Sequence, residues 1–393
     1  MTDKEIDLLL SWAVAEIIDK DKLIFELKTG KILRIKHGID PTTPDLHLGH
    51  SVVYHKLRSF QELGHKIIIL MGDFTARFGD PTGKLTARTF RTKTEVRKQS
   101  SRYKKQLGKI LELKKIEFRY NSEWYDKMAL DEFLRIIGNF TIHQMLERNM
   151  FQERIKNKKP ILIPELIYPI LQGYDSVMLK ADIAVVGQDQ LFNEIQARTL
   201  QPLYGQKPQA ILATPLLIGL DGKQKMSQSL KNYIGITENA DEMYGKTMSI
   251  PDALISHYFR LATKLPDEKI AKIENGVETK TLNPMEAKKL LAYEIVKTLH
   301  GENRARKAEK FFRETFQKKQ LPSELKPLKI KKFSSLFEII AEQKIFSRTE
   351  LRRLFKQRAV EFNESVVSDI NFAVNVSGVA KIGKKRFFRL EIF

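Results

Sequence analysis

The sequence contains no cysteine among its 393 residues. This absence excludes disulfides, thiolate metal ligands and a cysteine nucleophile, and it fits a reducing compartment. No stretch reaches about 18 uninterrupted apolar residues, and no basic segment near the N-terminus precedes a sustained apolar one. We therefore expect neither a membrane span nor a signal peptide, and a cytoplasmic location.

Negative charge is in short supply, with 48 Asp and Glu against 68 Lys and Arg and a formal net charge of +20. Such an excess favours polyanionic partners, because each neutralised phosphate releases condensed counterions. A uniformly basic surface without a particular partner explains the composition equally well. The position of the charge along the chain has to separate these two interpretations.

Apolar runs alternate with helical periodicity in the first half of the chain. Residues 31–40 and 66–72 are apolar and β-branched enough for strands, and residues 47–63 between them have helical spacing. Strand, helix and strand in this order indicate a βαβ unit with parallel strands. Residues 181–187 and 210–220 predict two further buried strands. The predicted fold class is α/β, with a doubly wound parallel sheet of the Rossmann-like type.

The pattern changes along the chain, which predicts several domains. The α/β domain is expected over residues 1–245, with a helical insertion near 120–180. Residues 246–325 contain helical patterns and predict an α-helical domain, and residues 326–330 a linker. Residues 331–393 combine two helical stretches with short strands, which predicts a small α+β domain.

A turn between the first predicted strand and helix carries two histidines. Its sequence over residues 38–50 is Gly-Ile-Asp-Pro-Thr-Thr-Pro-Asp-Leu-His-Leu-Gly-His, so His47 and His50 fall at i and i+3. The unpaired N–H groups and dipole of a helix N-terminus favour a phosphate, and Gly49 leaves room for a purine ring. The alternatives are a satisfied surface pair and a metal site, but two histidines without a third ligand make a weak metal site.

A second motif, Lys225-Met226-Ser227-Gln228-Ser229, follows the apolar run 210–220. The two motifs together resemble the HIGH and KMSKS signatures of class I aminoacyl-tRNA synthetases. Gln228 stands where that family usually has lysine. A glutamine donates hydrogen bonds but cannot neutralise the charge of pyrophosphate, and we hypothesise that Lys223 compensates in part.

A stripe of polar side chains on one predicted helix indicates which family within class I the chain resembles. Tyr168, Gln172 and Asp175 fall at i, i+4 and i+7 of a predicted helix, in an otherwise apolar stretch. These side chains are costly in a core without partners, and a solvated polar face is the alternative. The chain resembles the tyrosyl-tRNA synthetases over essentially its whole length. The segments that carry this resemblance are residues 38–50, 79–84, 168–175 and 187–190.

The resemblance implies how the amino acid is bound. Tyr168 and Gln172 would hold the ammonium of tyrosine together with Asp80, while Asp175 would accept the phenol hydroxyl. A buried acceptor aimed at a hydroxyl rejects phenylalanine, which would leave that acceptor unpaired. Many members of the family place a tyrosine of the first strand against the phenol, and Lys36 occupies the matching position here.

The resemblance also implies contacts with ATP, which enters as a substrate with Mg²⁺, and no tightly bound cofactor. The carboxylate of tyrosine is already a nucleophile, so alignment and charge stabilisation are expected to suffice. The residues expected to act on the triphosphate, the nucleotide or the leaving pyrophosphate are Thr42, His47, His50, Lys84, Arg88 and Lys225. Those expected along the rest of ATP and at the amino acid are Gly38, Asp40, Gly49, Gly187, Asp189, Gln190, Met226 and Ser227.

Basic residues are concentrated in residues 331–393, which hold 13 Lys and Arg against 7 Asp and Glu, a net of 13 − 7 = +6. Ser347 and Glu350 form a capping-box pattern at the start of a basic helix. A solvated face is the usual meaning of such a run, but this tail resembles the small ribosomal-protein-type RNA-binding module of bacterial tyrosyl enzymes. The residues expected to contact tRNA are Arg348, Arg352, Arg353, Lys356, Lys384, Lys385 and Arg386.

The expected partners are thus tRNA(Tyr), tyrosine and ATP, and the resemblance implies a homodimer formed by the catalytic domain. Residues 246–325 would then lie on the anticodon side of the tRNA. A tryptophanyl-tRNA synthetase is the alternative within the class, although Asp175 and Gln172 favour a phenol over an indole. A non-catalytic RNA-binding protein descended from a synthetase is the second alternative, with Gln228 as its first sign.

Overall fold

A computed structural model describes residues 1–77, 92–317, 327–343, 345–363, 365–383 and 386–393. The chain divides into two compact units, Met1–Glu309 and Lys310–Phe393. The finer predicted division, at residues 245, 325 and 330, stays a prediction. No helix in the described ranges is both long and apolar enough to cross a membrane.

The first unit is built on one six-stranded sheet in the order β1-β6-β5-β2-β3-β4. The five strands from β2 to β6 pair in parallel, and β1 joins the edge antiparallel to β6. The predicted α/β fold with a doubly wound parallel sheet is confirmed. The strands are β1 (Glu16–Ile18), β2 (Arg34–Ile39), β3 (Lys66–Met71), β4 (Ile116–Tyr120), β5 (Ile183–Gly187) and β6 (Ala210–Thr214).

Helices connect these strands and continue beyond the sheet. Asn283 starts one of them as N-cap, accepting from the Met285 N–H at 2.8 Å, with Pro284 at the first helical position. The helices are α1 (Asp3–Ser11), α2 (Lys20–Lys28), α3 (Leu48–Glu62), α4 (Lys93–Leu107), α5 (Ser122–Tyr125), α6 (Leu130–Ile137), α7 (Ile142–Leu146), α8 (Asn149–Lys156), α9 (Ile163–Leu179), α10 (Leu191–Leu203), α11 (Ala240–Met248), α12 (Ile255–Ala262), α13 (Asp267–Glu278), α14 (Pro284–His300) and α15 (Glu302–Phe312).

The direction in which successive strands are added to the sheet reverses at its centre. The chain runs outward from β2 through β3 to β4, and then returns to place β5 on the other side of β2. In a doubly wound sheet, this reversal opens a crevice at the carboxyl ends of the two central strands. The loops that follow β2 and β5 therefore face the same crevice.

Helices α9 and α10 approach each other very closely. A Cβ on Gly173 of α9 would lie 2.8 Å from the backbone N of Ala197 in α10. Glycine removes that clash and allows the two backbones to pack together. The close approach brings Gln172 beside Asn193 and Glu194, and so contributes to the site described below.

The second unit is a small α+β domain, as predicted. Its main sheet has the order β10-β9-β12-β13-β7, and β11 pairs with β8 separately. Two helices cover an apolar core that includes Leu336, Ile340, Leu351 and Phe355. Its elements are β7 (Leu328–Ile330), β8 (Ser334–Ser335), α16 (Leu336–Glu342), α17 (Arg348–Lys356), β9 (Val360–Phe362), β10 (Ser365–Val366), β11 (Ala373–Val374), β12 (Gly378–Ile382) and β13 (Arg386–Ile392).

Candidate active site

The two histidines of the first turn lie at the N-terminus of α3. His47 is its N-cap, and the His47 N–H donates to His50 Nδ1 at 3.2 Å. Their rings stack, with centroids 3.8 Å apart. Burial lowers the pKa of His47 well below its ordinary value and that of His50 to about 4. Two neutral imidazoles therefore lie where the helix presents its unpaired N–H groups.

Gly49 brings the first motif against the second. A Cβ at this position would lie 3.0 Å from His47 Nδ1 and 3.5 Å from Met226 Cβ. Backbone hydrogen bonds fix this arrangement: the Leu48 N–H donates to Ile234 O at 3.0 Å, and the Ile236 N–H donates to Leu46 O at 3.0 Å. The structure thus brings together two motifs that lie far apart in the sequence.

The loop of the second motif is fastened at several points. Lys225 forms an ion pair with Asp189, which follows β5. Met226 is buried, and its N–H donates to Leu217 O at 2.7 Å. Gln228 Nε2 donates to the backbone carbonyl of Asp45, in the turn that precedes α3. Glutamine at this position thus ties the loop to the first motif without adding charge.

Lys223, the residue expected to compensate for that missing charge, lies on the exposed part of the same loop. Its backbone N–H donates to Asp221 Oδ1 at 3.0 Å. The compensation itself stays a hypothesis.

Asp40 lies where β2 ends and accepts two hydrogen bonds across the crevice. Thr75 Oγ1 donates to its Oδ1 at 2.8 Å, and the Tyr168 hydroxyl donates to its Oδ2 at 3.0 Å. A Cβ on Gly72 would lie 1.9 Å from Asp40 Oδ1, so this carboxylate requires glycine at residue 72. Asp40, predicted near the nucleotide, is thereby joined to Tyr168, predicted near the amino acid.

Asp175 is a buried carboxylate on the inner face of α9. Trp124 Nε1 donates to its Oδ1 at 3.0 Å, and Asn121 Nδ2 donates to its Oδ2 at 3.4 Å. Burial raises the pKa of Asp175 to about 7, while the charge of Lys36 opposes this rise. The sequence analysis did not identify Trp124 or Asn121, because neither belongs to a motif and both reach Asp175 only through the fold.

The amides of the predicted site meet beside α10. Gln172 Nε2 donates to Glu194 Oε1 at 2.7 Å, and Asn193 Nδ2 donates to Gln172 Oε1 at 2.9 Å. The same Asn193 Nδ2 donates to Gln190 Oε1 at 3.0 Å. The structure therefore joins Gln172 and Gln190 through Asn193, and Glu194 and Asn193 are site residues that the sequence analysis missed.

The other predicted residues lie at the same edge of the sheet or outside the described residues. Gly38 belongs to β2 and Gly187 to β5. The Thr42 N–H donates to Asp40 O at 2.7 Å, and the Ser227 N–H donates to Asn232 Oδ1 at 2.8 Å. The predicted site residues outside the described ranges are Asp80, Lys84, Arg88, Lys384 and Lys385. Within those ranges no group of three or more His, Cys, Asp or Glu side chains is placed to hold a metal ion.

The basic helix of the second unit is α17. The Glu350 N–H donates to Ser347 Oγ at 3.1 Å, so Ser347 is the N-cap of the helix, which is one half of the predicted capping box. Arg348 forms an ion pair with Glu338, with Nη2 2.6 Å from Oε2. The other predicted tRNA contacts of α17, all of them exposed, are Arg352, Arg353 and Lys356. Arg386 begins β13 and is partly buried.

Comparison with known proteins places this geometry in a family. The model of the family "tRNA synthetases class I (W and Y)" matches residues 28–317. A tyrosine–tRNA ligase of Thermotoga maritima is 42% identical, covering 100% of this chain and 98% of its own length. One of Carboxydothermus hydrogenoformans is 44% identical, covering 97% of this chain and 96% of its own.

Solved structures agree with the fold of the first unit. Tyrosyl-tRNA synthetase of Archaeoglobus fulgidus complexed with L-tyrosine has a TM-score of 0.63 at 24% identity, covering 78% of this chain and 99% of its own. A truncated mitochondrial tyrosyl-tRNA synthetase of Aspergillus nidulans has a TM-score of 0.62 at 25% identity, covering 80% and 93%.

The raised pKa of Asp175 predicts a pH-dependent stability. The folded chain holds this proton up to a pKa of about 7, and the ordinary pKa is 3.8. Between these values the folded state binds more protons than the unfolded state, so the contribution of Asp175 to stability falls as pH rises and levels off above about 7. Asparagine does not titrate. The stability of Asp175→Asn relative to the parent should therefore increase with pH across this interval.

Urea unfolding of both proteins at a series of pH values between these two pKa values measures that difference. A difference in unfolding free energy that does not change with pH would contradict the assignment.

Proposed function

This chain belongs to the tyrosine–tRNA ligases, a family of class I aminoacyl-tRNA synthetases, and we propose that its described site activates tyrosine with ATP and transfers it to tRNA(Tyr). Activation gives tyrosyl-adenylate and pyrophosphate. In the transfer step, a ribose hydroxyl of the 3′-terminal adenosine forms an ester with the tyrosyl group, the bond from the tyrosyl carbonyl to the phosphate oxygen breaks, and AMP and a proton leave. The buried carboxylate of Asp175 carries this assignment, because it offers a desolvated acceptor to a phenol in the crevice that also holds Asp40 and Tyr168.

In the first step, a carboxylate oxygen of tyrosine attacks the α-phosphorus of ATP. The bond from that phosphorus to the bridging oxygen of pyrophosphate breaks, and pyrophosphate leaves with the Mg²⁺ that arrived with ATP. No proton has to be removed, so the site needs to align the reactants and stabilise charge. We assign the triphosphate to Thr42 and His47, the nucleotide to His50 and Gly49, and pyrophosphate to Lys225.

The neutral state of the two histidines supports these roles. An uncharged imidazole donates a hydrogen bond without needing a counter-ion in a buried site. Lys225 supplies the positive charge from the opposite loop, and the ion pair with Asp189 holds it there before ATP binds. Lys84 and Arg88, which lie outside the described residues, complete the proposed cationic loops.

Selection of tyrosine depends on side chains in the same crevice. We assign the phenol hydroxyl to Asp175 and the ammonium to Tyr168, Gln172 and Asp80, with Gln190 also at the amino acid. Phenylalanine would lack the hydroxyl that donates to Asp175 beside Trp124 and Asn121, and losing one hydrogen bond to a buried polar group costs about 1–3 kcal/mol. The tryptophanyl alternative is not favoured, since the relatives that match over the full length are tyrosine–tRNA ligases.

The chain should therefore catalyse tyrosine-dependent exchange of labelled pyrophosphate into ATP. Phenylalanine and tryptophan, at the same concentration, serve as matched controls and should give little exchange. Dependence on tryptophan would instead support the tryptophanyl alternative. Absence of exchange with any amino acid would support a non-catalytic RNA-binding protein.

We also propose that the second unit binds the tRNA backbone through the exposed cations of α17, Arg352, Arg353 and Lys356. Phosphate contacts position an RNA without reading its sequence, and they weaken with salt. Deletion of residues 331–393 should thus reduce tRNA charging while sparing pyrophosphate exchange. Replacement of the three cations by alanine in the full chain should have the same, smaller effect and a shallower salt dependence. Equal loss of charging and exchange would contradict this role.

Exposed apolar side chains support a homodimer formed by the first unit. They lie on the short helices between β4 and β5 and at the start of α9: Leu130, Leu134, Ile142, Leu162 and Ile163. A second copy of the chain would cover this surface, in a cytoplasmic enzyme that meets tRNA there. Sedimentation should give twice the chain mass of 45.6 kDa, and a single-chain mass at working concentration would overturn the proposal.

A further inference from the structure

Lys36 lies at the centre of a buried polar cluster beneath the proposed ammonium site. Its side chain is fully buried in β2, and its Nζ donates to Gln172 O at 3.0 Å, Ser176 Oγ at 2.7 Å and Glu194 Oε2 at 3.1 Å. A lysine ammonium has three N–H donors, so each has an acceptor. Glu194, also fully buried, balances its charge. An ion pair buried this completely is weak evidence for stability by itself, so another role is worth testing.

Glu194 offers acceptors in two directions. Its Oε2 also accepts from Gln209 Nε2 at 2.9 Å, and its Oε1 accepts from Gln172 Nε2 at 2.7 Å. An ionised carboxylate accepts hydrogen bonds and donates none. The Gln172 amide must therefore turn its NH₂ group toward Glu194 and its oxygen away from it.

Asn193 lies between the side-chain amide oxygens of Gln172 and Gln190. Its Nδ2 donates to Gln172 Oε1 at 2.9 Å and to Gln190 Oε1 at 3.0 Å. The Gln172 oxygen, like any amide oxygen, has a second lone pair that can accept from a further donor. Asn193 Oδ1 is itself buried and has no hydrogen-bond partner among the described residues. A group of uncharged acceptor oxygens, one of them unsatisfied, suits a ligand with several N–H donors.

We propose that the Lys36–Glu194 ion pair is a positioning device for substrate recognition: it fixes the amide of Gln172 so that its oxygen faces the ammonium of tyrosine. The inference rests on the proposed function, which assigns that ammonium to Gln172. Lys36 and Glu194 do not touch the substrate and act through Gln172. Lys36, which the sequence resemblance matches to a phenol contact, would thus serve the opposite end of the substrate in this chain.

The variant Glu194→Gln tests this role. An amide at residue 194 can donate as well as accept, so it no longer requires the NH₂ group of Gln172 to point toward it. Binding of two ligands is compared by calorimetry: tyrosine, and 3-(4-hydroxyphenyl)propionate, which has the phenol and carboxylate but no ammonium. The variant should bind tyrosine at least about tenfold more weakly, the loss expected for one hydrogen bond to a charged group. Affinity for the second ligand should stay within about twofold.

Glu165→Gln is the matched control on the same helix. Glu165 forms a mostly buried ion pair with Arg154, with Oε2 2.7 Å from Nη1, at the start of α9. The Glu165 carboxylate accepts from Arg154 and from the Leu162 N–H at the first turn of the helix, so both affinities should equal those of the parent. The double variant Lys36→Gln/Glu194→Gln leaves no lone charge buried, and the same selective loss is expected if the single variant does not fold.

Equal weakening of both ligands in the variants would show a purely structural role and overturn the inference. Unchanged binding of both ligands would overturn it as well. A parent protein that does not prefer tyrosine over the ligand without ammonium would instead overturn the proposed function, so the two failures are distinguishable.

Discussion

Parallel pairing of β2 with β5 at the centre of the sheet is the constraint on which the site depends. Because both strands end at the same edge, Asp40 after β2 and Asp189 after β5 face one crevice. The N-terminus of α3 opens toward that crevice, and Lys225 reaches it through Asp189. A different order of strands would separate these groups, although every motif in the sequence would be intact.

Burial sets the chemistry of the groups in this crevice. It lowers the pKa of His50 to about 4 and raises that of Asp175 to about 7, so both tend toward their neutral forms. The fold offsets the cost of a buried Asp175 carboxylate with donors from Trp124 and Asn121 and with the nearby charge of Lys36. Specific recognition of a polar substrate thus depends on polar groups that the fold buries away from water and supplies with hydrogen-bond partners.

The sequence predicts β3, β5 and β6 because they are nearly continuous apolar runs buried on both faces. It also predicts β2, whose residues 34–39 mix apolar and polar side chains, because this segment precedes a turn and a helical pattern. It does not predict β1 or β4, which lie at the two edges, have three and five residues, and contain no fully buried position. The motif residues of the crevice could be predicted for a similar reason, since they cluster in short segments. Their partners Trp124, Asn121, Asn193 and Glu194 could not, because only tertiary packing brings them near.

The hydrogen bond from Gln228 to the Asp45 carbonyl has a consequence for how the second motif can change over evolution. Its acceptor belongs to the main chain, so no side-chain replacement at residue 45 abolishes it. At residue 228 the bond requires a donor of suitable length, and both glutamine and lysine satisfy that requirement. Anchoring the loop and countering the charge of the departing group are thus separable duties of one position. This chain retains the first with an uncharged residue, and in the proposed function the second falls to neighbouring cations such as Lys225.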